Sequence, residues 1–203
     1  MDNNGYIGGI DLVGNIYLTM MPLILAGIIN MVFTKTKLYR KNKCPIDLGK
    51  NFIDGKRLFG DNKSYIGFIS MILFCIIFQV IWSIICKYLG FENNNELYFI
   101  YENTIHFNIL IGFLFGFTYM ICELPNSFIK RRINIMPGKT DKGIKGIIFF
   151  VIDQIDSLIG VFFVLMLFNG MSLSRYLLYL FVGALTHISI NLLLYGLRIR
   201  RNF

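Results

Sequence analysis

The sequence predicts an all-α integral membrane protein with about five transmembrane helices, forming a single polytopic domain over residues 1–203. Three observations carry that prediction. Hydrophobic residues make up 55% of the chain and its mean hydropathy is +0.60, well above what a soluble domain shows. Several apolar segments reach the length needed to cross the hydrocarbon of a bilayer. The cations, finally, are gathered into a few blocks between those segments, as the positive-inside rule requires.

The spans are expected at Ile10 to Phe33, Ser64 to Leu89, Thr104 to Cys122, Gly146 to Met171 and Tyr176 to Leu197. The second and fifth are the purest, with no charged residue between Tyr65 and Cys86 or between Tyr176 and Leu197. The first carries Asp11 and Asn15 and no positive leader, so it reads as a helix of the mature protein rather than a cleaved signal. The fourth carries two carboxylates, Asp153 and Asp156.

Charge sets the orientation. Nine of the twenty cations lie between Lys35 and Lys63, six between Lys130 and Lys145, and three at Arg198, Arg200 and Arg201. Placing these blocks on one side, the cytoplasmic one, gives an N-out, C-in topology with two long basic cytoplasmic loops. The N-terminus with Asp2 and the loop with Glu92, Glu96 and Glu102 fall on the opposite side. The net charge of +8 is therefore a sidedness signal, and nucleic-acid binding is not expected. The expected location is the cell membrane. Four cysteines at 44, 75, 86 and 122 show no metal-binding spacing.

The first basic loop is punctuated by Gly49, Gly55, Gly60 and Gly67, with Lys56, Arg57 and Lys63 as phosphate contacts. It reads equally as a phosphate-binding site or as a plain positive-inside connector. In the second, Lys130-Arg131-Arg132 follows Glu123 and a Pro125-Asn126-Ser127 break, with Pro137-Gly138 beyond. This block is either a headgroup anchor or, with polar backbone at the membrane edge, the wall of a cavity.

Asp153 and Asp156 are the sharper signal, because a separation of three puts both carboxylates on one helical face. They lie about 10 to 16 Å along the helix from its start, in the half nearer the basic loops. Charge at that depth is expensive and usually functional, and no other span offers a cation to pair with them. Magnesium takes one or two carboxylates and completes its shell with substrate phosphates, which suits this pair beside three cations. His187 and Asn191, four apart in the last span, share a face and form either a packed polar pair or a headgroup contact.

Taken together, Pro45-Ile-Asp47-x-Gly49, Asp54-Gly-Lys-Arg-x-Phe-Gly60, Lys63-Ser-Tyr-x-Gly67, Ser127-Phe-x-Lys-Arg-Arg132 with Pro137-Gly138, Asp153-Gln-x-Asp156 with Gly160, and His187-x-x-x-Asn191 resemble the CDP-archaeol synthases. These belong to the membrane CTP:lipid-phosphate cytidylyltransferases, which include phosphatidate cytidylyltransferase. Six blocks in order over nearly the whole chain make the resemblance specific. Two positions depart from the archaeal pattern: Cys122-Glu123 stands for Gly-Asp, and Lys63-Ser64-Tyr65 for Lys-Thr-aromatic.

The resemblance implies transfer of CMP from CTP to a membrane lipid phosphate, giving a CDP-activated lipid of the CDP-archaeol or CDP-diacylglycerol type, and pyrophosphate. It implies magnesium on Asp153 and Asp156, with Glu123 a further candidate ligand. Lys130, Arg131 and Arg132 would bind phosphates. Asp47, Gly49, Asp54, Gly55, Arg57, Lys63, Asn126 and Ser127 would complete the substrate site, with His187 and Asn191 in support. CTP, a lipid phosphate and the bilayer are the partners; a homo-oligomer is left open. The competing class is a transporter or ion-coupled carrier using Asp153 and Asp156 as a cation path. A non-catalytic scaffold would leave those two residues unexplained. The dense Asp-x-x-Asp-Gly series of CDP-alcohol phosphotransferases is absent, since Ser157 follows Asp156.

Overall fold

A computed structural model describes residues 12–139, 141 and 143–197 of the chain. The expectations placed on Asp2, Ile10, Asp11, Arg198, Arg200 and Arg201 lie outside the described residues. Five long helices carry the fold: α1 (Leu12–Phe33), α3 (Tyr65–Leu89), α4 (Ile105–Arg132), α5 (Gly143–Asn169) and α6 (Leu173–Gly196). Each is long and apolar enough to span a bilayer. The short helix α2 (Lys37–Lys41) sits between α1 and α3. Strand-like pairing among the described residues is limited to two isolated bridges, Pro45 with Ser64 and Asn51 with Arg57.

The helix starts follow ordinary capping chemistry: Ser64, Thr104 and Ser172 each accept a backbone N–H from the first turn of α3, α4 and α6. An apolar core lies inside the bundle, and much aliphatic surface also faces outward. On α3 the apolar residues Ile69, Leu73, Ile77, Ile81 and Ile84 are exposed, while Gly67, Ser70, Gln79 and Ser83 are buried. Lipid solvates the large aliphatic face, and small and polar residues join Met71, Cys75 and Cys86 in the helix contacts. Gln79, for instance, donates to Asn108 of α4 at 3.0 Å, and Trp82 donates to the Leu18 carbonyl of α1 at 2.7 Å.

Consecutive long helices pack on one another, α1 on α3, α3 on α4, α4 on α5 and α5 on α6. α4 is the hinge of the arrangement. A Cβ on Gly112 or Gly116 would lie 2.6 Å from the Cα of Ile76 or Ile72, so α3 and α4 touch backbone to backbone. On its other side, Gly160 of α5 admits Cys122 and the Thr118 carbonyl.

The third span runs nearly three turns farther than the expected end at Cys122, and the Pro125-Asn126-Ser127 segment is not a break. α4 passes through Pro125 to Arg132. Proline removes one helical hydrogen bond, but neighbouring helices make such losses tolerable in a membrane bundle, and Glu123 and Asn126 on the same turns are tied to Lys63 and to α5. This extension carries Lys130 alongside α5. The carboxylates therefore do have a cation on a neighbouring span.

Candidate active site

The first basic loop folds around Asp47. Its buried carboxylate accepts from Arg57 Nη2 at 2.6 Å, from the N–H of Gly60 at 2.8 Å, of Phe59 at 3.1 Å and of Gly49 at 3.1 Å. Burial alone would raise this carboxyl, but the Arg57 guanidinium and the three N–H groups outweigh it and hold Asp47 well below the usual carboxylate range. Gly60, with φ +94°, faces Pro137: a Cβ there would sit 2.7 Å from the Pro137 ring. The two loops meet at this point.

Arg132 locks them together. Its guanidinium donates to Asp54 at 2.8 Å and to the carbonyls of Lys56 and Arg57 at 3.0 and 2.7 Å, while lying 4.0 Å over the ring of Phe128. Lys56 returns a bond to the Arg132 carbonyl at 2.6 Å. Asp54 is also lowered, its desolvation outweighed by the Lys56 N–H and by Arg132.

Under this clamp lies a cavity of about 410 Å³, between the loops and the near ends of α4 and α5. Lys63, Glu123, Asn126, Ser127, Lys130, Arg131, Asp153 and Asp156 line it. Of the residues singled out in the sequence, these eight are brought together. Asp47, Gly49, Asp54, Gly55, Arg57 and Arg132 lie in or against the loop that roofs the cavity, not in its lining. His187 and Asn191 are on the far side of α5. There His187 Nδ1 donates to the Gln154 carbonyl at 3.2 Å and Asn191 donates to the Gln154 side chain at 3.0 Å.

Charge in the cavity is arranged in opposed pairs. Lys130 binds the Asp153 carboxylate and Lys63 binds Glu123. Asn126 donates through one nitrogen to Asp153 Oδ1 and Asp156 Oδ2, both at 2.6 Å, so the two carboxylates converge on one point. Arg131 differs from its neighbours. It is buried, enters no ion pair among the described residues, and keeps Nε and Nη1 without a hydrogen-bond partner. A buried guanidinium with free donors has the chemistry to receive an anion.

The converging oxygens suit a hard divalent cation. Glu123 does not join them: Lys63 holds it, and no three acidic, histidine or cysteine side chains among the described residues form a metal-binding group. Sequence reasoning missed Lys35 and Lys139, which extend the basic lining, and Gln154, the tie between α5 and α6. Lys35 and Lys139 lay hidden in cation blocks that read as topology. Gln154 stood visible between the two aspartates.

A second, apolar cavity of about 50 Å³ opens between α1 and α6, lined by Leu23, Ile24, Ile28 and Met31 on one side and by Gly183, His187 and Ile190 on the other. Tyr119 of α4 borders it and binds His187 Nε2 at 3.2 Å.

The family model described as CarS-like, CDP-archaeol synthase, matches residues 10–202. The chain belongs to the CDP-archaeol synthase family. It is 28% identical to the CDP-archaeol synthase of Sulfurisphaera tokodaii over 161 residues, covering 79% of this chain and 81% of that one. It is 34% identical to that of Methanocaldococcus jannaschii over 116 residues, 57% of this chain and 58% of the relative. A solved intramembrane enzyme of archaeal membrane lipid biosynthesis shares the fold with a TM-score of 0.59 at 19% identity, over 87% of this chain and 92% of that structure. Family membership makes the chain a membrane enzyme, a CTP-dependent lipid cytidylyltransferase, and the carrier reading of Asp153 and Asp156 gives way to it.

Proposed function

We propose that the enzyme transfers CMP from CTP to the phosphate of a membrane lipid at the cytoplasmic face, with Asp153 and Asp156 holding magnesium. The observation that carries this is the juxtaposition, in one cavity, of converging carboxylates with the partnerless Nε and Nη1 of buried Arg131. A cation site and an anion site side by side suit a metal-bound nucleotide. Magnesium at the pair would supply charge neutralisation to the phosphates.

The chain's own residues do the rest. Lys130 and Lys63 turn to the phosphate oxygens, so the incoming negative charge meets ammonium groups already in the cavity. Arg131 binds the triphosphate or the lipid phosphate through its free donors. An oxygen of the lipid phosphate then forms a bond to the α-phosphorus of CTP while the bridging bond to the β-phosphate breaks, and pyrophosphate leaves. No side-chain nucleophile is required, since the acceptor is already ionised. Both reactants are anions, so preorganised positive charge supplies most of the acceleration. Asp47, Asp54, Arg57 and Arg132, with Gly49 and Gly55, act by shaping the loop that roofs the site. His187 and Asn191 hold α6 against α5 beside the apolar cavity, which receives the start of a lipid tail.

The basic loops orient the site to the cytoplasm. The relatives' names give archaeol as their lipid, while the aliphatic lining here recognises apolar bulk rather than tail linkage. Purified protein should therefore be given CTP, magnesium and either an ether-linked isoprenoid glycerol phosphate or a diacyl phosphatidate, with pyrophosphate release as the readout. A tenfold preference names the substrate. Release that is independent of any lipid phosphate would refute the acceptor role.

A further inference from the structure

The two ends of the Asn126 carboxamide are treated very differently. Nδ2 donates to Asp153 and Asp156 at 2.6 Å each. Oδ1 is buried with no hydrogen-bond partner, on a residue only 7% exposed. A buried acceptor left unmade forfeits its hydration without return, and such exceptions call for a reason.

A half-turn of the carboxamide exchanges its oxygen and nitrogen at nearly constant shape. With only protein atoms present, that turn would set Oδ1 against two carboxylate oxygens and be repulsive. With a divalent cation between the three oxygens, it becomes the favourable orientation. We propose that Asn126 is a two-position element of the metal site. Its NH2 group holds Asp153 and Asp156 together before the cation arrives, and its Oδ1 then becomes the third protein oxygen on a magnesium- or manganese-class ion. This rests on the reading of Asp153 and Asp156 as the metal pair.

The chemistry explains why an amide stands here. A third carboxylate would add repulsion to a pair already converging on one point, whereas an amide supplies an oxygen without charge. Glu123 stands outside this set in the structure, its carboxylate meeting Lys63 rather than the pair. Hard cations of this class accept carboxylate, amide and phosphate oxygens together, so three protein oxygens leave room for nucleotide phosphates and water.

The test is manganese binding to the purified full chain in detergent, without nucleotide, followed by the electron paramagnetic resonance of free Mn²⁺. Asp153→Asn should abolish binding and Asn126→Ala should weaken it tenfold or more, with a cooperative melting transition retained. Should Asn126→Ala not fold, carbonyl-¹³C asparagine labelling of the unaltered protein gives a second readout by difference infrared. One carboxamide band should shift down on adding Mn²⁺, and the shift should vanish in Asn126→Asp. Binding by Asn126→Ala within twofold of the unaltered chain, or no carboxamide shift, overturns the proposal while leaving the metal pair in place if Asp153→Asn is impaired. Absence of Mn²⁺ binding by the unaltered chain overturns both.

Discussion

Replacing Arg131 by lysine separates phosphate recognition from membrane anchoring. Lysine keeps the positive charge, and with it the topological signal, but gives up the planar fork. Arg131 is 8% exposed, and its Nε and Nη1 have no partner in the protein, so no intramolecular bond through these two atoms is lost in the exchange. What is lost is at least one charge-assisted hydrogen bond to a phosphate oxygen, about 1.5–3 kcal/mol. At about 1.4 kcal/mol per factor of ten, kcat/KM falls roughly 10- to 150-fold. The assay is the initial rate of label transfer from CTP into extractable lipid at varied CTP, alongside melting in detergent. Arg132→Lys is the informative contrast. That guanidinium already serves Asp54 and two loop carbonyls, so its loss should lower thermal stability together with the rate. Arg131→Lys that inserts normally and works at the unaltered rate would refute the assignment of Arg131 to phosphate.

Three other outcomes are expected. Asp47→Ala removes the buried acceptor of three backbone N–H groups and of the partly exposed Arg57 and should cost roughly 1–3 kcal/mol. Because the Asp47 carboxyl is depressed in the folded protein, its contribution is fully present above its ordinary value near about 4 and is lost as pH falls below that. The stability gap between the two proteins should thus be flat from pH 8 to about 4 and narrow at lower pH; a gap that widens on acidification contradicts the role. Gly112→Ala drives a methyl group into the α3 backbone and should destabilise by about 1–3 kcal/mol or more, read by melting; an unchanged melt would remove the close α3–α4 contact. In a Cys44→Ser background, Asn51→Cys and Met136→Cys should label from the cytoplasm and Asn93→Cys from the opposite side; labelling of the first two from different sides contradicts the topology.

Much of this was legible in the chain. Bilayer-length apolar segments fix five helices, and cation blocks put both loops at one end, where Gly60 and Pro137 do meet. The carboxylate pair on one face of the fourth span was equally plain from its spacing. What local reading could not supply was the reach of α4. Pro125 is a strong punctuation mark in isolation, and only packing against α5 and the Lys63 to Glu123 pair carries the helix past it. The partner of Asp153 followed from that extension, because Lys130 counts as a loop residue until the helix is seen to include it. Composition also cannot divide three adjacent cations by role. Lys130 faces a carboxylate, Arg131 is buried in the cavity wall and Arg132 clamps the roof, a division set by the helical turn of 100° between neighbours. The loop acids Asp47 and Asp54 read as substrate-site residues in sequence because their arginine and backbone partners are brought to them only by the folded loop.

The central claim is cytidylyl transfer to a lipid phosphate, and position-specific labelling tests it most directly. Purified protein, magnesium and a lipid phosphate are incubated in parallel with CTP labelled at the α- or at the γ-phosphate, and the lipid is extracted. The account predicts that the α label enters the lipid while the γ label stays in water as pyrophosphate. Lipid carrying the γ label, or neither label in lipid at any acceptor tested, would contradict it.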